Sequence, residues 1–230
     1  DALANSWNLA TIHLGLDVGV PRIKAFLDSF GLTTVQPGPS LLIGAVDLAP
    51  IQVAQMYEYL ASDGHALPLL AVSGVVDGNG RTIKRYEVES GQGEYQPAVR
   101  LITWAMQQVA IYGTAHSLAE SNLAWLHTAG KTGTSNDLRD SWFAGFTGDR
   151  LGVFWMGRDD NKPSHLFGAT GALRGWQDLF RKLPTEPLSP APGEGLEMAW
   201  INPADGKRSD PGCEGAKEVP VIAGSLSTDS

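Results

Sequence analysis

At 230 residues, with 43% hydrophobic residues and seven Trp, seven Phe and five Tyr, the chain can bury a sizeable core in one or two domains. A formal net charge of -8 argues against non-specific binding to nucleic acid or an anionic membrane, and no apolar run approaches the roughly eighteen residues of a membrane span. The lone Cys213 excludes an intrachain disulfide and a cysteine-rich metal site.

In chain order, residues 1–15 mix helical and turn spacing, with Leu3, Trp7, Leu9, Ile12 and Leu14 apolar and Ser6-Trp7-Asn8 interrupting the pattern. Gly19-Val20-Pro21 separates this element from a helix with Ile23, Phe26, Leu27 and Phe30 on one face and Gly31 as its stop. Leu41–Ala45 is a short apolar run of undecided state. A helix follows Pro50 and ends before Gly64. Residues 69–76 and 82–88 flank Asp77-Gly78-Asn79-Gly80, a strong turn, and read as an appended hairpin. Residues 97–112 form the clearest helix. Pro97 starts it, Gly113 ends it, and Leu101, Trp104, Ala105, Gln108 and Val109 make its contact face.

The central stretch is Ala129-Gly130-Lys131-Thr132-Gly133-Thr134. Read as a strand, it places Thr132 and Thr134 on one face by the period of two. Lys131 then has the opposite parity and needs a twist or bulge to join them, which the flanking glycines permit. At a sheet edge such a strand can pair with an extended ligand; the bland alternative is a glycine-rich turn. Strands at 141–148 and 151–157 follow, giving an antiparallel sheet with the lysine strand beside the first of them. A helix over 169–183 covers the sheet through Leu173, Trp176, Leu179 and Phe180. Helices, strands, then a helix make an α+β core.

Composition changes at Pro184. The last 47 residues hold seven Pro and six Gly, with eight acids against three bases. This reads as a small appendage over 184–230, with a short ribbon from Leu196–Ile201 to Lys207 across the Asp205-Gly206 turn. Residues 1–183 are expected to form the main domain.

Three polar stretches lack a packing explanation: Ser6-Trp7-Asn8, Lys131–Thr134 and the loop around Asp137. A serine hydroxyl and an ammonium in contact can relay a proton, an asparagine amide can both donate and accept, and threonine hydroxyls can hold a carboxylate. Taken singly, Ser6 also fits a helix N-cap, Asn8 a turn and Lys131 a solvated strand lysine. Periodicity alone does not bring stretches over a hundred residues apart together.

Ser6-Trp7-Asn8 and Lys131-Thr132-Gly133 resemble two of the three signature motifs of the penicillin-recognising serine acyl-enzymes. With NSWNLATIHLGLDVG, LLIGAVDLAPIQVAQMYEYLASDG, WAMQQVAIYGTAHSL, AGKTGTSNDLRDSWFAGFTGD and FWMGRDDNKP, residues 1–183 are similar to the C-terminal part of the transpeptidase domain of class A penicillin-binding proteins. The resemblance implies an incomplete transpeptidase fold, with an antiparallel sheet and flanking helices. It also implies attack by a serine on a D-Ala-D-Ala stem peptide, cross-linking by a neighbouring amine, and acylation by β-lactams. Ser6 would relay a proton, Asn8 would bind the acyl-side amide and Lys131 would support Ser6. Thr132, Gly133 and Thr134 would form the substrate strand, the two hydroxyls engaging the carboxylate and the Thr134 N–H completing an oxyanion hole. No cofactor is implied. The implied partners are peptidoglycan stem peptides, an upstream part of the same protein with a glycosyltransferase and membrane anchor, and an activator lipoprotein. The implied location is the bacterial inner membrane, facing the periplasm.

One departure matters. No serine here has lysine three positions later, so the Ser-x-x-Lys nucleophile motif is absent, and the 230 residues alone are expected not to acylate. The missing part is expected upstream or in another chain; the alternatives are a non-catalytic interaction domain, or a carboxypeptidase or β-lactamase of the same fold. His13, His65, His116, His127 and His165 lack metal-ligand spacing. Asp159-Asp160 are adjacent, which does not suit a glycosidase pair, and Arg139-Asp140 suggest only a local ion pair. Trp125 stands where a phosphate loop needs glycine.

Overall fold

Proline and glycine set most element boundaries in the computed structural model, which describes residues 1–33, 35–88, 93–190 and 192–226. Helix α1 (Asn8–Val18) stops at Gly19, whose φ of 94° lies in a region open to glycine. Helix α2 (Val20–Ser29) carries Pro21 in its first turn. The undecided apolar run is a 3-10 turn, Pro39–Ile43, whose Leu41 packs with Leu32 and Val35 under α2. Helix α3 (Pro50–Ala61) is fastened at its start by Ala49 N–H donating to Gln52 Oε1 at 2.8 Å.

Strands β1 (Gly74–Val76) and β2 (Thr82–Arg85) form the expected hairpin, with shorter arms than the apolar pattern suggested. Every residue of both arms is exposed, so no packing extends them. Helix α4 (Gln96–Ile111) buries Val99, Met106, Gln107, Val109 and Ala110. Of the face read from sequence only Val109 is fully buried. Trp104, Ala105 and Gln108 are half-buried because that side of α4 meets the C-terminal ribbon across an open cleft, and Leu101 is half-buried too.

The central sheet is antiparallel in the order β3 (Ala129–Thr134), β4 (Ser141–Phe146), β5 (Leu151–Met156). Among the described residues β3 is an edge strand, as a ligand-pairing strand must be. Helix α5 (Ala172–Phe180) covers one face, where Trp176 stacks on Phe180 and meets the edge of Phe143. Leu173, Trp176 and Phe180 are buried as expected, but Leu179 is 42% exposed, because the helix spans only nine residues and turns this position to solvent. On the other face Ala129 and Phe146 pack with Met106 of α4 and Tyr57 and Leu60 of α3. The result is the α+β arrangement of antiparallel sheet and flanking helices.

The tail forms a ribbon, but with a different partner. Strand β6 (Leu196–Ile201) pairs with β7 (Lys217–Ile222), while Lys207 only closes the local turn by accepting the Asn202 N–H at 2.9 Å. Six paired positions outweigh the single bridge from Ile201 to Arg208. The ribbon is tied back by Arg100 Nη1 donating to Glu194 O at 2.5 Å and by a Lys217–Asp1 ion pair at 2.8 Å. Residues 191 and 227–230 of the tail lie outside the described residues. Among those described, no helix is long and apolar enough to cross a membrane.

Candidate active site

Ser6 sits at the end of a tight N-terminal turn, closed by Asn5 N–H to Asp1 O and Trp7 N–H to Ala2 O, both at 3.0 Å. Its φ of 55° is left-handed, uncommon for serine and costly unless the surroundings hold it there. The cap position of α1 belongs to Trp7, so the Ser6 hydroxyl is not spent as a helix cap. Instead Ser6 Oγ accepts a hydrogen bond from Lys131 Nζ, 125 residues away in sequence. Lys131 also donates to Thr132 O at 3.0 Å. Burial pushes the pKa of its ammonium down to about 8. A lysine titrating there can both donate and recover a proton near neutral pH.

Asn8 opens α1 and is exposed. Its amide makes no hydrogen bond to a described residue, and Trp7, 55% exposed, stands between it and Ser6. The structure therefore brings Ser6 to Lys131 and leaves Asn8 free of the strand.

The β3–β4 register runs unbroken from Ala129↔Phe146 to Thr134↔Ser141, so the twist or bulge expected at Lys131 is absent. Lys131 keeps its own parity. Its side chain turns back toward Ser6 while Thr132 and Thr134 share the opposite face. Glycine supplies room here rather than a kink: a Cβ on Gly168, which packs against β3, would stand 2.7 Å from Gly133 O. Thr134 Oγ1 accepts the Gly168 N–H at 3.0 Å, which leaves its own proton free for an anion. Thr132 Oγ1 lies 2.6 Å from Thr114 Oγ1.

Thr114, Gly168 and Ser141 were not legible as site residues. Ser141, fully buried, accepts from Ala172 N–H at 2.9 Å and donates to Phe167 O at 2.8 Å, locking the start of α5 to β4. A polar residue at an inward strand position was its only signal. Thr114 follows the glycine that ends α4, a place where a hydroxyl usually needs no explanation. The loop after β3 is held by Ser135 Oγ donating to Asp140 Oδ2 at 2.7 Å, and Trp155 Nε1 donates to Asp140 Oδ1 at 2.9 Å. Arg139 consequently pairs with Asp137 at 3.2 Å, not with Asp140. Asp160 is engaged by Arg158 and Lys162, which hold its carboxyl down to about 2.

The family model described as penicillin binding protein transpeptidase domain matches residues 1–163. Penicillin-binding protein 1B of Vibrio cholerae is 42% identical over 203 residues, covering 86% of this chain and 25% of that protein. The Escherichia coli protein of the same name is 36% identical over 198 residues, covering 85% and 23%. The chain thus spans about a quarter of the length of such relatives. Among solved structures, penicillin-binding protein 1A from Haemophilus influenzae superposes with a TM-score of 0.82 at 21% identity, over 99% of this chain and 40% of that one, a likeness of fold.

Proposed function

The chain belongs to the penicillin-binding protein transpeptidase domain family, and from that premise we propose that it supplies one wall of a serine D,D-transpeptidase site that cross-links D-Ala-D-Ala stem peptides and is acylated by β-lactams. In this reading residues 1–183 are the C-terminal part of the transpeptidase domain, with 69–88 an inserted hairpin and 184–230 an appendage. The nucleophilic serine and its lysine come from an upstream segment, together with a glycosyltransferase and a membrane anchor. The site faces the periplasm from the inner membrane, where an activator lipoprotein is a further partner.

The observation that carries the reading is the Ser6–Lys131 hydrogen bond beside an edge strand with two hydroxyls. The stem peptide pairs along β3, its terminal carboxylate meeting Thr132 and Thr134 and its reacting carbonyl meeting the Thr134 N–H. The upstream serine attacks that carbonyl, the C–N bond to the terminal D-Ala breaks, and the leaving nitrogen takes a proton through Ser6. Lys131, able to give or take a proton near pH 8, replenishes Ser6. Asn8, whose amide is uncommitted, binds the acyl-side peptide group. A neighbouring stem amine then displaces the serine and forms the cross-link.

The test is covalent labelling by a fluorescent penicillin of the polypeptide that includes the upstream segment. A band that survives denaturing electrophoresis is expected, and none from the 230 residues alone. Failure of the longer polypeptide to label, beside a transpeptidase that does, would sink the proposal. Thr134→Val should slow that acylation about tenfold, the worth of one charge-assisted hydrogen bond, and should lower stability by about 1–3 kcal/mol because the buried Gly168 N–H loses its acceptor. Equal rates would remove Thr134 from carboxylate binding.

A further inference from the structure

We infer that Thr114 is a positioning residue: by donating to Thr132 it turns the Thr132 proton toward an anionic ligand, and its own backbone holds the Ser6 turn against the strand. The inference rests on the acyl-transfer reading and extends it to a residue outside the three motifs.

Gly113-Thr114 is a short turn that touches both halves of the site. Thr114 N–H donates to Ala4 O at 3.0 Å, two residues before Ser6, and Ala4 is buried. The approach is close enough to require glycine next door, since a Cβ on Gly113 would stand 2.2 Å from Ala4 O. The hydroxyl of the same Thr114 lies 2.6 Å from Thr132 Oγ1, on the strand. One residue therefore spaces the serine turn with its N–H and the substrate strand with its side chain.

The direction of the Thr114–Thr132 hydrogen bond decides what Thr132 can do. Each hydroxyl has one proton and can accept as well. If Thr132 donates to Thr114, it has nothing left for a carboxylate. With Thr114 as donor, the chain Thr114 to Thr132 to anion polarises in one sense, and each bond strengthens the next. Thr134 is already in that state, because the partner at its oxygen, the Gly168 N–H, can only donate. Thr114 gives Thr132 the same arrangement, so both hydroxyls present protons from one face of β3.

The experiment is a double-mutant cycle in the polypeptide with its upstream segment: wild type, Thr114→Val, Thr132→Val and both. Saturation kinetics with an anionic penicillin separate the dissociation constant of the first complex from the rate constant of acylation. Each single change should raise that dissociation constant about tenfold and move the acylation rate constant about twofold or less. The double variant should bind no worse than the weaker single, because Thr114 acts through Thr132. Losses that multiply, or Thr114→Val binding as wild type does, overturn the inference alone. Thr114→Ser keeps the hydroxyl and serves where valine at 114 prevents folding; it should bind as wild type does, and a loss there overturns the inference too. A wild type that never acylates overturns the acyl-transfer reading, and this inference with it.

Discussion

Lys131→Met, in a polypeptide that carries the proposed upstream segment, should acylate with penicillin at least about a hundredfold more slowly than wild type, the usual worth of a positioned proton-transfer group. Methionine keeps the apolar stem of the lysine as far as Cε, so the loss reports the ammonium. Two hydrogen bonds go with it, to Ser6 Oγ and to Thr132 O at 3.0 Å. Ser6 is then left in a left-handed conformation without the hydrogen bond that Lys131 gave its oxygen. The pH dependence should change as well. With Lys131 titrating at about 8, the affinity for an anionic β-lactam should fall as pH rises through 8 and the positive charge disappears; in Lys131→Met that fall should be absent. Stability runs the other way. The folded value lies below the unfolded one of about 10.4, so between the two the unfolded chain binds more protons and the lysine's contribution to stability rises with pH. Below 8 the buried charge costs the fold its full penalty, and above about 10.4 the penalty is gone. Denaturant melts of both proteins at pH 7 and pH 10 should show a gain in wild type that Lys131→Met lacks. Equal acylation rates, or identical pH profiles, would take Lys131 out of the chemistry.

Local chemistry was readable where one residue decides the outcome. Gly19, Pro21, Pro50, Gly64 and Pro97 each end or start a helix because their backbone freedom or missing donor leaves few alternatives. Two short apolar runs on either side of Asp149-Arg150 located β4 and β5, of which β4 is buried almost throughout and β5 half-buried. What failed was any choice needing knowledge of the neighbours. The face of α4 was misassigned because the helix is covered on more than one side: Met106 meets the sheet, Val109 and Ala110 meet the cluster around Trp176, and Trp104 faces the ribbon. The β6 partner was missed because a glycine turn five residues on competes locally with a strand sixteen residues on, and only the longer ladder resolves it. In the site, the lysine and threonines were visible as residue types. Their geometry was not, since a regular register sends Lys131 and Thr132 to opposite faces and lets separate partners, Ser6 and Thr114, receive them.

Trp176→Ala should lower the unfolding free energy by about 3–5 kcal/mol, the range for removing a large aromatic from a core. Trp176 is 0% exposed. It stacks on Phe180 with ring centroids 3.7 Å apart and meets Phe143 edge-on at 5.5 Å. Its Nε1 donates to Gly145 O at 3.3 Å. The sheet is cut to receive it: a Cβ at Gly152 would stand 2.8 Å from the indole nitrogen and from the Phe180 ring, so no larger residue fits opposite. With the indole gone the gap cannot close from the strand side, because glycine has no side chain to move in. Trp176→Phe should cost less, restoring most of the volume but leaving Gly145 O without its donor. The damage should reach the site. Helix α5 begins at Ala172, fastened to Ser141, and the segment just before it supplies the Gly168 N–H to Thr134. A loosened α5 frees that segment, so Trp176→Ala should weaken the anion affinity of the Thr134 end even at temperatures where the chain stays folded. Urea unfolding measures the first effect and penicillin saturation kinetics the second. A loss below about 1 kcal/mol, too small for a cavity of this size, would mean that α5 is held by something other than its aromatic stack.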